Sequence, residues 1–129
     1  IALVPPFVSA TFGGQVQVIL DVGPAGAGNT YLAIAGLSGT SPGFTWRPGF
    51  PVALNPDGVT QLLAEDPNGV FLQNGLGTFD ALGRATATFT LPAGLVPMLA
   101  GWQMHWSVLS QTPLAVPACV GETKTMTFL

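Results

Sequence analysis

The segment RATATFTL at residues 84–91 alternates polar and apolar side chains without a break. A strict period of two is typical of a β-strand with one buried face and one solvated face. The solvated face holds Arg84 and three threonines, so it carries a single charge. The other face is apolar throughout: Ala85, Ala87, Phe89 and Leu91. The segment therefore predicts a strand whose outer face is polar and almost uncharged.

Three further segments share this alternation: residues 15–22, 102–109 and 124–129. Between them lie most of the 17 glycines and 12 prolines, which is the pattern of short strands joined by turns. We predict an all-β fold: a single-domain β-sandwich, Ig-like or jelly-roll-like, that spans residues 1–129 with short turns and little or no helix.

Two tetrapeptides, NPDG at residues 55–58 and DPNG at 66–69, carry the residues that β-turns prefer. In each, proline stands where its fixed φ fits and glycine stands where a positive φ is expected. We interpret them as two turns of a meander. Residues 59–64 and 96–100 are each compatible with a turn of helix, but no longer window combines helical periodicity with capping residues.

Charge is scarce: three basic and six acidic residues stand in a chain of mean hydropathy +0.52. An ordinary soluble domain is about a quarter charged. No basic cluster exists to follow a phosphate backbone, so no nucleic acid partner is expected. The charge-free stretch at residues 1–20 is interrupted by Pro, Gly and Gln, and others are broken in the same way. None supplies the roughly 20 apolar residues of a spanning helix, so no membrane span is expected.

The ends of the chain and its single cysteine bear on its location. The chain starts at Ile1, with no basic segment before its apolar residues. A secreted protein looks like this after its signal peptide is removed, although a chain cut there for another reason would look the same. Cys119 has no second cysteine to pair with. We expect it either as a small buried residue or as one half of a disulfide between two copies.

Residue patterns for catalysis are sparse. His105 is the only histidine, and it falls on the polar face of the predicted strand 102–109, where a solvated or hydrogen-bonded role is expected. Glu65 and Asp66 are adjacent carboxylates at a turn. They form either a solvated turn or, with Asp57, a weak calcium site. We therefore expect no enzyme activity and no cofactor.

The N-terminal segment, residues 1–12, is apolar and is broken by two consecutive prolines. One interpretation is an edge strand of the chain's own sandwich. The other is an arm that adds a strand to the sheet of a neighbouring copy. The candidate arm residues are Ile1, Leu3, Val4, Phe7 and Val8.

A cluster of aromatic residues lies in a stretch rich in Pro and Gly around residues 44–50. Aromatic rings beside a guanidinium group serve many binding surfaces through stacking and cation–π contacts. Packing within the sandwich is the first interpretation, and a ligand platform or a subunit contact are the alternatives. The residues concerned are Phe44, Trp46, Arg47 and Phe50.

Several short motifs follow one another in order: LDVGP at 20–24, AG at 27–28, YL at 31–32, LSGTSPG at 37–43, LNPD at 54–57, GTFDALGRA at 77–85, LPA at 91–93 and LAG at 99–101. In this combination the chain resembles a β-rich domain of unknown function found in large secreted proteins of planctomycete-like bacteria, often at their C-terminal ends. The resemblance implies an extracellular β-sandwich-like module. It implies no activity, so no catalytic residue is carried over.

The sequence thus favours a secreted structural protein that assembles with copies of itself into an extracellular filament or surface layer. The physical reason is that a nearly neutral surface repels its own copies weakly. The alternative is an extracellular adhesion module that binds a cell-surface glycan or protein. In either case the expected location is extracellular or at the cell surface.

Overall fold

The computed structural model describes all 129 residues as twelve short β-strands, one α-helix and two single turns of 3-10 helix. The strands in chain order are β1 (Ala2–Val4), β2 (Phe7–Val8), β3 (Gly14–Asp21), β4 (Thr30–Gly36), β5 (Phe44–Arg47), β6 (Phe50–Val52), β7 (Leu72–Gln73), β8 (Leu76–Thr78), β9 (Arg84–Leu91), β10 (Gln103–Gln111), β11 (Pro117–Val120) and β12 (Lys124–Phe128). The helix α1 (Gly58–Glu65) lies between β6 and β7, and the 3-10 turns are Pro24–Gly26 and Pro97–Leu99.

Two sheets face each other across one core. The first has the order β1-β3-β9-β7, and the second has the order β2-β12-β10-β4-β8, with β11 also pairing with β10. All pairs are antiparallel except β2 with β12. The prediction of an all-β, sandwich-like single domain is confirmed.

The alternation of residues 84–91 is also confirmed. On β9, Ala87, Phe89 and Leu91 are buried, Thr88 and Thr90 between them are half-buried, and Thr86 is exposed. The ring of Phe89 packs edge-on against Trp106 of β10, with 5.5 Å between the centroids, so this pair joins the two sheets. Burial of such side chains contributes about 1.5 to 3 kcal/mol each.

A third layer covers part of the second sheet. The β5–β6 hairpin lies over its outer face, where a second apolar cluster forms from Ile34, Val52, Leu54 and Leu109. This layer corrects the expectation of a solvated outer face on β10. Leu109 is buried in the cluster, and Ser107 is fully buried with its hydroxyl donating to the carbonyl oxygen of Gly121. Periodicity within one strand carries no information about what packs over it.

The interpretation of residues 55–58 as a turn of a meander is wrong. Asp57 is the N-cap of α1: its Oδ1 accepts from the backbone N–H groups of Val59 and Thr60, and the Thr60 hydroxyl accepts from the Asp57 N–H. This capping box starts a helix where a turn was expected, and Gly58 has no positive φ. The expected turn of helix at residues 59–64 is therefore part of an eight-residue helix.

The second tetrapeptide does form a turn. The N–H of Gly69 donates to the carbonyl oxygen of Asp66 at 3.3 Å. The positive φ expected at Gly69 is absent, and a Cβ there would meet only the end of the exposed Asp66 side chain.

The sandwich has two ends, named here for later use. The pocket end consists of the connections at residues 9–13 and 92–102 together with α1, and the Gly94 N–H donates to the Thr11 carbonyl oxygen there at 2.8 Å. The turn end consists of the connections at residues 22–29, 79–83 and 112–116. No helix of the structure has the length and apolarity needed to cross a bilayer.

Candidate assembly ends and binding groove

Exposed large apolar side chains concentrate at the two ends. Such side chains occur singly on any surface, but a group of them indicates an interaction site. At the pocket end they are Phe12, Leu62, Leu95, Met98, Trp102 and Leu129, of which Phe12 is 82% exposed and Met98 70%. At the turn end they are Leu82, Leu114 and Val116.

The pocket end contains an open pocket between the two sheets. Its volume is about 130 Å³, and all twelve residues that line it are hydrophobic. Val59 and Leu62 of α1 line it on one wall, Leu95 and Leu99 of the connection after β9 line another, and Phe89 of β9 also lines it. The helix reaches this place because Asp57 fixes its first turn. With no polar group in its lining, the pocket suits an apolar occupant.

The turn end carries a tight turn between β10 and β11. The N–H of Thr112 donates to the carbonyl oxygen of Val116 at 2.8 Å, and the Val116 N–H donates to the Thr112 hydroxyl at 3.2 Å. Ala115 has a φ of 62°, a conformation that non-glycine residues adopt only at a cost. Leu114 lies at the tip and is 86% exposed, the highest exposure of any large hydrophobic residue in the chain.

A groove runs beside the β5–β6 hairpin on the outer face of the second sheet. This hairpin groove has a volume of about 190 Å³, and its lining residues are Thr30, Tyr31, Leu32, Trp46, Leu76, Leu109 and Gln111. It therefore combines one indole ring with a threonine, a glutamine and several aliphatic side chains. A wider depression of about 490 Å³, beside Phe44 and α1, shares Leu32 and Leu109 with it.

The four aromatic-cluster residues divide between packing and exposure. Phe44 and Trp46 pack against the second apolar cluster and are half-buried, whereas Arg47 is exposed. Phe50 meets the Trp46 ring edge-on at 6.1 Å, and the Arg47 guanidinium carbon lies 5.7 Å from the centroid of the same ring. Trp46 is thus held on two sides and still lines the groove.

The N-terminal residues pair within their own chain. β1 lies beside β3, with Leu3 opposite Val18, and β2 lies beside β12, with Val8 opposite Phe128. Leu3 and Val8 are buried in the main core, Ile1 packs against it, and Val4 and Phe7 are exposed. The segment occupies an edge of each sheet in this conformation, and its exchange with a neighbouring copy stays a prediction.

The remaining candidates are dispersed. Cys119 is half-buried on β11 at the turn end, beside Val22 and Asn29. His105 Nδ1 lies 2.9 Å from the Thr125 hydroxyl on the neighbouring strand, in agreement with a hydrogen-bonded role. No three His, Cys, Asp or Glu residues lie close enough together to hold a metal ion.

The Asp57 carboxylate has a structural role at the start of α1. Burial opposes its ionisation, but hydrogen bonds from the Ser38 hydroxyl, the Leu37 N–H and Thr60 hold the pKa of its carboxyl below the usual value. Asn55, two residues earlier, accepts from the Gly43 N–H and donates to the carbonyl oxygen of Ser38. Together the two side chains fix the loop after β4 against the start of α1.

The residues at the two ends were missed by the sequence analysis. Residues 96–100 were interpreted only as compatible with a turn of helix, which the 3-10 turn Pro97–Leu99 agrees with, and residues 112–116 were not considered. The signal that could have found them is a large apolar residue in a short connection, as with Leu114 beside Pro113 and Met98 beside Pro97. Such residues are uncommon in solvated loops and indicate a contact surface.

Comparisons with known proteins give no match: no family model matches the chain, and searches of curated proteins and of solved structures find nothing similar at a significant level.

Proposed function

We propose that this chain is a secreted structural protein whose copies assemble into an extracellular filament or surface layer. The observation that carries the proposal is the exposure of apolar side chains at both ends of the sandwich. When two different surfaces of one chain bind each other, the contact repeats from copy to copy and builds an open filament unless the rotation closes a ring.

The scarcity of free charge supports the same proposal. Asp21 and Arg84 form an ion pair at 3.2 Å, and Glu122 and Lys124 form another at 3.4 Å. Two of the three basic residues are thereby neutralised locally, and Arg47 is the third. The four other carboxylates and Arg47 leave a net charge of -3, so copies of the chain approach each other with modest electrostatic repulsion.

The outer face of the first sheet is polar without being charged over most of its area. The Thr88 hydroxyl donates to Gln17 Oε1 at 3.2 Å, and the Thr90 hydroxyl donates to Gln73 Oε1 at 2.9 Å. These cross-strand hydrogen bonds pair the polar groups of the side chains within the sheet. This face therefore offers less to a second copy than the apolar ends do.

Light scattering over a concentration series tests the proposal. The mean mass should grow with protein concentration, and electron microscopy of the same samples should show filaments or sheets. Assembly should change little between about 0.05 and 1 M salt, because few charges exist to be screened. A monodisperse monomer at every concentration, or dissociation over a modest rise in salt, would contradict it.

A second candidate function is binding of a glycan in the hairpin groove. The observation that favours it is Trp46, whose ring lines a groove together with the hydrogen-bonding side chains of Thr30 and Gln111. An aromatic face with a few polar groups is a common arrangement for orienting a small ligand.

Tryptophan fluorescence separates this candidate from assembly. A cell-wall polysaccharide titrated into the protein should shift the emission, and Trp46→Ala should abolish the shift. Trp102→Ala is the matched control, because Trp102 is exposed at the pocket end and does not line the groove. Equal responses from the two variants would exclude the groove as the site.

A further inference from the structure

We propose that the copies join head to tail, with Leu114 of one copy inserted in the apolar pocket at the opposite end of the next. This inference rests on the proposed function and names the contact that would carry it. The occupant of the pocket is thus a second copy of this chain.

The two surfaces match in size. The pocket volume is about 130 Å³. An apolar cavity of about 150 Å³, made by removing a leucine side chain, stays dry and takes up a benzene ring. A pocket of this volume therefore accommodates one branched aliphatic side chain, and Leu114 is one at the tip of a turn.

They also match in charge. Residues 112–116 contain no charged side chain, and neither does the pocket lining. Insertion of Leu114 would therefore remove only apolar surface from water and leave no buried charge without a partner. The wider depression beside Phe44 and α1 differs in this respect, because the charged Asp57 and the polar Gln61 line it.

The turn presents Leu114 in a fixed geometry. Three hydrogen bonds close it: the Thr112 N–H to the Val116 carbonyl oxygen, the Ala115 N–H to the Thr112 carbonyl oxygen, and the Val116 N–H to the Thr112 hydroxyl. The costly backbone conformation of Ala115 is part of this arrangement. A side chain on a rigid turn loses little freedom when it binds.

One chain cannot make this contact with itself. Leu114 follows the end of β10, whereas Met104, at the beginning of the same strand, lines the pocket. A strand of nine residues is about 30 Å long. The contact therefore joins two copies through unlike surfaces, and each joined pair still offers one free turn and one free pocket.

Two variants at exposed positions test the contact. Leu114→Asp removes the inserted side chain, and Leu62→Glu places a carboxylate at the pocket wall. Each should raise the concentration at which assembly begins by at least about tenfold, because burial of a leucine is lost and a carboxylate would have to be desolvated. Ile19→Asp is the control, since Ile19 is also exposed but lies on the outer face of β3 between the ends, and it should assemble as the wild type does.

The mixture of the two variants gives the sharpest result. Leu62→Glu protein still has the turn and Leu114→Asp protein still has the pocket, so a one-to-one mixture should form dimers that grow no further. Circular dichroism of each variant checks that it is folded. Normal assembly of Leu114→Asp protein, or no dimer in the mixture, would overturn the inference and leave end-to-end assembly standing. A wild type that stays monomeric at every concentration would overturn both the inference and the proposed assembly. So would a pocket that binds the apolar dye ANS but no second copy of the chain.

Discussion

The Ser38 hydroxyl donates a hydrogen bond of 2.7 Å to Oδ2 of Asp57, and this bond ties the loop after β4 to the first turn of α1. The same Oδ2 accepts from the Leu37 N–H at 2.8 Å, while Oδ1 caps the helix. Leu37 and Val59, one on each side of this carboxylate, both line the apolar pocket. Asp57 thus fixes the relative position of two pocket walls.

Replacement of Asp57 should weaken the fold measurably. Asp57→Ala removes an N-cap and leaves the Leu37 N–H without its acceptor, so we expect the free energy of unfolding to fall by about 2 kcal/mol. Urea denaturation measures it. Glu65→Ala is the control, because Glu65 is exposed and only accepts from Gln61 four residues earlier, and its effect should stay within about 0.5 kcal/mol.

The stability should depend on pH through the same carboxyl. The folded pKa of Asp57 lies below its unfolded value of about 3.9. Its contribution is therefore complete above that value and is lost as the pH falls through the folded pKa. Urea midpoints between about pH 6 and pH 2.5 should fall less steeply for Asp57→Asn than for the wild type. Parallel curves for the two proteins would show that the carboxyl does not contribute.

Gly83 should tolerate alanine much less well than Gly28. Both glycines have a positive φ, 75° and 79°, so alanine costs about 1 kcal/mol at either position. A Cβ at Gly83 would in addition collide with the carbonyl oxygen of Gly23, whereas nothing lies within 4 Å of a Cβ at Gly28. We expect Gly83→Ala to lower the melting temperature clearly further than Gly28→Ala. Equal shifts would mean that the turn end yields to the added methyl group.

Trp106 should accept phenylalanine at a low cost. Its side chain is fully buried, and no protein acceptor lies within hydrogen-bonding distance of its Nε1. Trp106→Phe loses apolar area but also removes an unpaired buried donor, so we expect a destabilisation below about 2 kcal/mol, against about 3 to 5 kcal/mol for Trp106→Ala. Denaturant unfolding of both variants checks this. Similar losses in the two would show that the indole N–H is stabilising.

The strands with one solvated face were predictable from the sequence. In β3 and β9 each position faces either the core or water, so the alternation of side chains reports the burial directly. The same argument failed for the outer face of β10, because the β5–β6 hairpin covers Leu109. The helix was underestimated because NPDG satisfies turn preferences and capping preferences alike, and the pairing of Asp57 with Ser38, a residue nineteen positions away, is not visible locally.

By itself the sequence determined the β class, the scarcity of charge and the inner faces of β3 and β9, since side-chain period and composition are local properties. Only the tertiary structure decided that Leu114 and the pocket under α1 lie at opposite ends, and that Trp46 lines a groove. Those relationships join residues that are far apart along the chain, and they exist only once the two sheets and the hairpin have packed together.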